Sequence, residues 1–204
     1  MLHLETIQPP TLSLLKELME IQLLQPFTLV GVTALALRYG HRSSIDLDLF
    51  SNETFDNEKI ADKLKFKFGA NFVFESGHKN PGIFCYIHKI KVDIVYFPHK
   101  LIAPIETTDK IRMYGSADIA AMKIQVILGR GKKKDFWDLY ELLRHFPLQQ
   151  LIDWHQGQML AISIPNAITY FVDAEESEIP VTFKKQTWEG VKKGIQLAVR
   201  DYLR

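Results

Sequence analysis

Cysteine is almost missing from this chain: 204 residues hold one, Cys85, so no internal disulfide can form. Neither sign of charge dominates, because 25 basic side chains face 24 acidic ones and leave a net charge of +1. Such a balance gives no overall field to hold a nucleic acid or an anionic membrane, and any such binding must come from a local patch. Long hydrophobic runs are lacking too. The most apolar stretch, residues 29–37, contains Gly31 and Thr33 and falls far short of the roughly 18 to 20 residues that span a bilayer. The start shows no charged segment followed by an apolar one, so no secretory signal is expected, and with the lone cysteine this places the chain in a reducing cytoplasm. No Cys or His cluster has zinc spacing, no G-x-S-x-G nucleophile motif occurs, and neither repeats nor low-complexity segments are found. What is present is 47% apolar content, enough for a buried core in one large domain or two small ones.

The patterning divides the chain. Leu12, Leu15, Leu18, Met19 and Leu23 recur at helical intervals before Pro26, predicting a helix over residues 10–25. A short strand at residues 27–30 then turns at Gly31 into a second helix, residues 33–39, closed by Gly40. Residues 44–50 alternate strictly, with Ile45, Leu47 and Leu49 on one face and Asp46 and Asp48 on the other, as a half-buried strand does. A helix over 55–68 and β-branched or aromatic runs at 71–75, 83–87 and 90–97, set off by Gly77, Pro81, Gly82 and Pro98, complete a small, partly antiparallel sheet. Beyond about Ser116 the pattern is helical: a hairpin of residues 118–128 and 136–146 around the basic loop Arg130 to Lys134, then helices near 148–158, 165–174 and 187–203. The acidic cluster Asp173, Glu175, Glu176 and Glu178 reads as a solvated loop, and Cys85 as a small core residue.

Chemistry concentrates around the D-x-D strand. Carboxylates two residues apart on a strand leave one face with Cβ atoms about 6.5 to 7 Å apart, close enough to converge on one cation such as Mg²⁺. Asp93, mid-strand in KVDIV, needs a cation, a lysine or water as a partner. Alternatively the pair decorates a solvent-facing surface and Asp93 pairs with a Lys or Arg. The order of elements favours a site: a helix N-terminus after Gly31, with the Thr33 hydroxyl, can hold a terminal phosphate while the aspartates hold the metal that neutralises it. Lys123 either snorkels from an apolar stripe or binds a triphosphate oxygen. Asp135 and Asp138 share a helix face near an N-terminus, where capping is the simple explanation, although Asp135 could also orient Lys123 or assist deprotonation of an attacking hydroxyl. Arg42 and Lys132 to Lys134 are candidate phosphate contacts, and His41 reads as a turn residue.

The stretch GVTALALRYGHRSSIDLDLF from Gly31 resembles the first motif of the AbiEii-type nucleotidyltransferases, within the polymerase-β-like superfamily. KVDIVYF from Lys91, AAMKIQVILGRGKKKDFWDLYELL from Ala120, YFVDAEESEIP from Tyr170 and TWEGVKKGI from Thr187 extend the resemblance over nearly the whole chain. The resemblance implies metal-dependent transfer of a nucleotidyl group from a nucleoside triphosphate and, for many relatives, a toxin role opposed by an antitoxin. It also implies Asp46 and Asp48 as first-motif metal ligands, Asp93 as the third carboxylate, and Lys123 and Asp135 as later site residues. One position departs from the pattern. Val32 stands where the family usually has a second small residue, and its branched side chain obstructs close approach of phosphate to backbone.

The combined expectation is an α/β (α+β) fold: a nucleotidyltransferase core with a small mixed sheet over residues 1–115, and a helical part, 116–204, completing the cleft. Asp46, Asp48, Asp93, Lys123 and Asp135 are the expected catalytic residues, with Asp46, Asp48 and Asp93 holding Mg²⁺ or Mn²⁺. Gly31, Thr33, Arg42 and Lys123 are expected to bind the nucleoside triphosphate. The acceptor hydroxyl is left open between an RNA 3′ end, a protein and a small molecule. The competing class is a catalytically silent interaction protein that keeps the fold.

Overall fold

A computed structural model describes residues 1–74, 82–158 and 164–204. Helix α1 (Pro9–Glu20) opens on two prolines, which the first turn accepts because its N–H groups have no intrahelical acceptor. It buries Leu14, Leu15, Leu18 and Met19 and ends at Glu20, earlier than expected, because Ile21 is extended and a short 3₁₀ turn follows. Strand β1 (Thr28–Leu29) leads into α2 (Gly31–Tyr39), which Gly40 closes at a φ of 63° with its N–H on the Ala36 carbonyl. Next come β2 (Leu47–Ser51), α3 (Asn57–Phe68), β3 (Phe72–Phe74), β4 (Gly82–Ile87) and β5 (Ile90–Tyr96). The expected breaks at Gly77 and Pro81 lie outside the described residues. A hairpin of β6 (Glu106–Thr108) and β7 (Ile111–Met113) precedes the helices α4 (Ser116–Arg130), α5 (Lys133–Leu143), α6 (Leu148–Gln158), α7 (Ile164–Ile168), α8 (Val172–Glu175) and α9 (Trp188–Tyr202).

The strands form one seven-stranded mixed sheet in the order β3-β4-β5-β2-β1-β7-β6. β2 lies parallel to β5 at the centre, and β1 pairs antiparallel with β2 and parallel with β7. Alternation fixes what each face carries: Leu47, Leu49, Val92 and Ile94 are buried in the core, whereas Asp48, Phe50, Lys91 and Asp93 occupy the opposite, partly open face. One hydrophobic cluster runs from Ile7 to Val199 and includes residues of both the sheet and the later helices. Trp137 of α5 stacks on Trp188 of α9 with centroids 5.6 Å apart.

Three expectations are corrected. The central strand begins at Leu47 and not at residue 44, and Ile45 is 60% exposed instead of sharing the core with Leu47 and Leu49. The cause is that the preceding segment pairs elsewhere: Ser44 bridges to Ile7, and the Ser43 N–H reaches the Val181 carbonyl. The basic run is mostly helix, since Lys133 and Lys134 form the first turn of α5 and only Gly131 and Lys132 separate it from α4. The single helix expected over 165–174 is two short ones, α7 and α8.

Candidate active site

A cleft of about 710 Å³ opens where the free face of β2 and β5 meets the N-terminus of α2, helices α4 and α5, and the segment 178–181. β2 and β5 run in register, so Asp48 and Asp93 are direct partners across the parallel pair. Asp46 stands just before the strand, held by its backbone: the Thr33 hydroxyl donates to the Asp46 carbonyl at 2.5 Å and lies 2.7 Å from the Ser44 hydroxyl. Thr33 is therefore buried and occupied with supporting the D-x-D segment; it is not among the residues lining the cleft, where sequence reasoning had it holding phosphate.

Gly31 is required twice over. Its φ of 67° lies in the left-handed region, and a Cβ there would sit 2.8 Å from Asp48 Oδ2. The Val30 N–H anchors the turn on the Asp48 carbonyl at 2.9 Å. The helix end thus abuts Asp48, with Gly31 and Val32 lining the cleft, and the N–H groups of a first helical turn have no intrahelical acceptor. Val32 lines this part of the cleft as well, with its branched side chain partly exposed.

Charge in the cleft is strongly coupled. Burial, then the neighbouring Asp93 and Asp46, push the Asp48 carboxyl up to about 6 against the pull of Lys91 and Lys123. Lys91 pairs with Asp93 Oδ2, and its ammonium is held above the ordinary lysine range: burial works against the charge, but the hydrogen bond and charge of Asp93, with Asp48 and Asp46, outweigh it. Asp93 Oδ1 is buried without a hydrogen-bond partner. A buried carboxylate oxygen left bare is unfavourable and calls for a cation or a donor. Among the described residues no three acidic, histidine or cysteine side chains close around one point as a ready-made metal cage. The donor set is open and all-oxygen, which suits Mg²⁺ or Mn²⁺ completing its shell with water and phosphate.

The opposite wall is backed by a buried ion-pair network. Lys123 on α4 is buried and sits 3.0 Å from Asp135 Oδ1 and 2.9 Å from Asp138 Oδ2. Arg42 clamps Asp138 with both arms, Nε at 2.6 Å and a terminal nitrogen at 2.9 Å, and His41 Nε2 donates to the same carboxylate at 2.8 Å. Burial pushes the Asp138 carboxyl up, but Arg42 and Lys123 together with the His41 and Arg42 hydrogen bonds prevail and hold it well below the usual range. Burial likewise works against the Lys123 ammonium, while Asp138 and Asp135 keep it above its ordinary value. Asp135 also caps α5 by accepting the Lys132 N–H at 3.0 Å.

Most of the residues named from sequence therefore converge: Gly31, Arg42, Asp46, Asp48, Asp93, Lys123 and Asp135 all line the cleft. Lys134 joins them, whereas Lys133 is buried with its ammonium on the Glu175 and Ser177 carbonyls, away from any phosphate. Two features went unread. Asp138 resembled a capping residue, and nothing local signals its ties to His41 and Arg42, 97 and 96 residues away. Glu178 to Val181 form the cleft's rim, where a solvated loop was expected, and the chain from Val181 to Phe183 lies along residues 41–43. Its quoted motif was the available signal.

Residues 13–161 match the family model described as nucleotidyl transferase AbiEii toxin of a type IV toxin–antitoxin system. A protein of Aquifex aeolicus (strain VF5) described as uncharacterized is 30% identical over 198 residues, 93% of this chain and 94% of its own. Among solved structures, JHP933 from Helicobacter pylori is similar with a TM-score of 0.58 at 17% identity, covering 95% of this chain and 92% of that one. A putative nucleotidyltransferase from H. pylori gives 0.57 at 17% identity over 97% and 99%. MenT4, a nucleotidyltransferase toxin from Mycobacterium tuberculosis H37Rv, gives 0.54 at 15% identity over 93% and 84%. These likenesses establish a nucleotidyltransferase fold.

Proposed function

The chain belongs to the AbiEii nucleotidyl transferase toxin family, and from that premise we propose that it transfers a nucleoside monophosphate from a nucleoside triphosphate to an acceptor hydroxyl, releasing pyrophosphate. The observation that carries this reading is the register pairing of Asp48 with Asp93 beside the N-terminus of α2. Anion-binding and cation-binding groups share one cleft, as polyphosphate chemistry requires. Asp46, Asp48 and Asp93 would hold Mg²⁺ or Mn²⁺, which when bound supplies charge neutralisation at the attacking and leaving oxygens. The backbone after Gly31 binds the terminal phosphate. Lys123, fixed by Asp135 and Asp138, presents its ammonium where charge develops on the leaving pyrophosphate. Arg42 and Lys134 add positive charge along the triphosphate path. Residues 116–204 complete the cleft begun by 1–115. The acceptor is an RNA 3′ end, a protein or a small molecule, and a toxin role with an antitoxin partner follows from the family.

The test is incubation of the full chain with each of the four triphosphates, labelled in turn at the α- and γ-phosphorus, and with total RNA or protein from a host extract. The α label should become fixed to a macromolecule or small acceptor, the γ label should appear in pyrophosphate, and EDTA or Asp48→Asn should abolish both. Absence of α-label transfer under every combination would favour a second reading, a silent interaction protein. Val32, whose branched side chain stands at the phosphate turn, is the observation on that side.

A further inference from the structure

A lysine was one of the partners expected for Asp93, and Lys91, not itself named as a site residue, fills that place inside the cleft on the same sheet face as Asp93 and Asp48. Its ammonium is bonded to Asp93 Oδ2, while the other oxygen of that carboxylate is buried and unpartnered. Asp93 is thus half satisfied, with a cation on one oxygen and the other oxygen left for a metal. The Lys91 side chain is 39% exposed, so its flexible stem can swing toward the open cleft without disturbing the sheet. A released ammonium needs an anion, and the neighbouring space is where a triphosphate would lie.

We propose that Lys91 is a resident counter-cation that holds Asp93 until metal and polyphosphate arrive together, whereupon its ammonium passes from Asp93 to a phosphate oxygen. This rests on the reading of Asp46, Asp48 and Asp93 as metal ligands. A metal ion taken by the bare Asp93 Oδ1 sets a second, stronger cation beside the Lys91 ammonium, repels it from Oδ2 and leaves it without a partner. Metal with polyphosphate breaks the same pair and gives the ammonium a new one. The two ligands are therefore coupled through one side chain, and coupling of this kind is reciprocal. The arrangement also keeps three carboxylates from repelling one another before the ligands bind.

The experiment is direct titration of the full chain with Mn²⁺ alone, followed by electron paramagnetic resonance of free Mn²⁺, and separately with preformed Mn²⁺–tripolyphosphate, followed by calorimetry. Wild type is compared with Lys91→Met, Lys91→Gln, Lys134→Met and Asp93→Asn, each first checked for a cooperative melt. Lys91→Met and Lys91→Gln should bind Mn²⁺ alone about tenfold tighter than wild type and Mn²⁺–tripolyphosphate several-fold weaker, in line with usual coupling strengths. Lys134→Met, which removes an equal charge from the exposed wall, should weaken only the second. Mn²⁺ affinity unchanged in both Lys91 variants, or raised as much in Lys134→Met, overturns the proposal while leaving the metal site standing. Mn²⁺ binding that survives Asp93→Asn undiminished, or is absent from wild type and variants alike, removes the metal-site reading and this inference with it. The labelled-transfer assay judges the enzymatic reading separately.

Discussion

Asp48 carries the clearest pH signature. Its carboxyl ionises near 3.8 in the absence of its surroundings and near 6 in the folded cleft, because burial and the adjacent Asp93 disfavour its charge. Between those values the native state keeps a proton that the unfolded chain has lost. Stability from this group is therefore intact below about pH 4, declines as pH rises toward about 6, and is lacking above it. Asp48→Asn removes the ionisation and should gain on wild type by about 1 to 3 kcal/mol at pH 7.5, with no gain at pH 4. Denaturant unfolding of both proteins in EDTA across that range measures it, and a difference that stays constant with pH would remove Asp48 as the titrating group. The D-x-D pair was legible because period-two spacing and a preceding glycine turn are local features. The left-handed φ of Gly31 confirms the turn, but its contact with Asp48 Oδ2 joins positions 17 residues apart and no spacing rule reports it.

Strands and helices with strong periodicity were readable, and their failures have identifiable causes. The alternation over 44–50 satisfies a strand template, but hydrogen bonding decides where the ladder begins, and Ser43 and Ser44 are engaged by the rim and by the N-terminal segment. The β6–β7 hairpin escaped notice because its two-residue turn is Asp109-Lys110, both at positive φ (52° and 66°), instead of the Asn-Gly or Asp-Gly that advertises such turns. The β4–β5 turn, His88-Lys89 at 51° and 66°, uses the same disguise. Non-glycine residues in that region carry a steric penalty of about 1 kcal/mol or more. Lys110 is exposed, so Lys110→Gly should stabilise the chain by about 0.5 to 1 kcal/mol after the loss from added chain freedom. Thermal melting reads this out as a rise of about 1 to 4 °C. A lower melting temperature would mean that the Lys110 side chain contributes contacts outweighing its strained backbone.

Joining the two halves of the chain is what a sequence reveals least. His41 and Arg42 come from the turn before the central strand, Lys123, Asp135 and Asp138 from helices beyond residue 116, and they meet in a buried network of which Arg42, Lys123 and Asp135 line the cleft. Such networks are poor sources of stability, since removing several charges from water offsets much of their mutual attraction, but losing one member strands the others. Asp138→Ala leaves Arg42 and Lys123 without their shared counter-charge and should cost about 3 to 5 kcal/mol, lowering the melting midpoint by roughly 6 to 20 °C for a chain of this size. The combined replacement Arg42→Met, Lys123→Met, Asp135→Asn, Asp138→Leu deletes two positive and two negative charges together, keeps the Lys132 cap on the amide oxygen and refills most of the space with apolar groups. It should recover most of that loss, ending within about 2 kcal/mol of wild type, with the unpartnered His41 Nε2 accounting for the remainder. The recovered protein should nevertheless bind no Mn²⁺–tripolyphosphate, because both fixed cations of that wall are gone. Stability restored with binding lost assigns the network to the ligand. A combined variant as unstable as Asp138→Ala would make it a structural tie between the halves, and restored stability with undiminished binding would place the polyphosphate on the helix N-terminus and the carboxylate-bound metal alone.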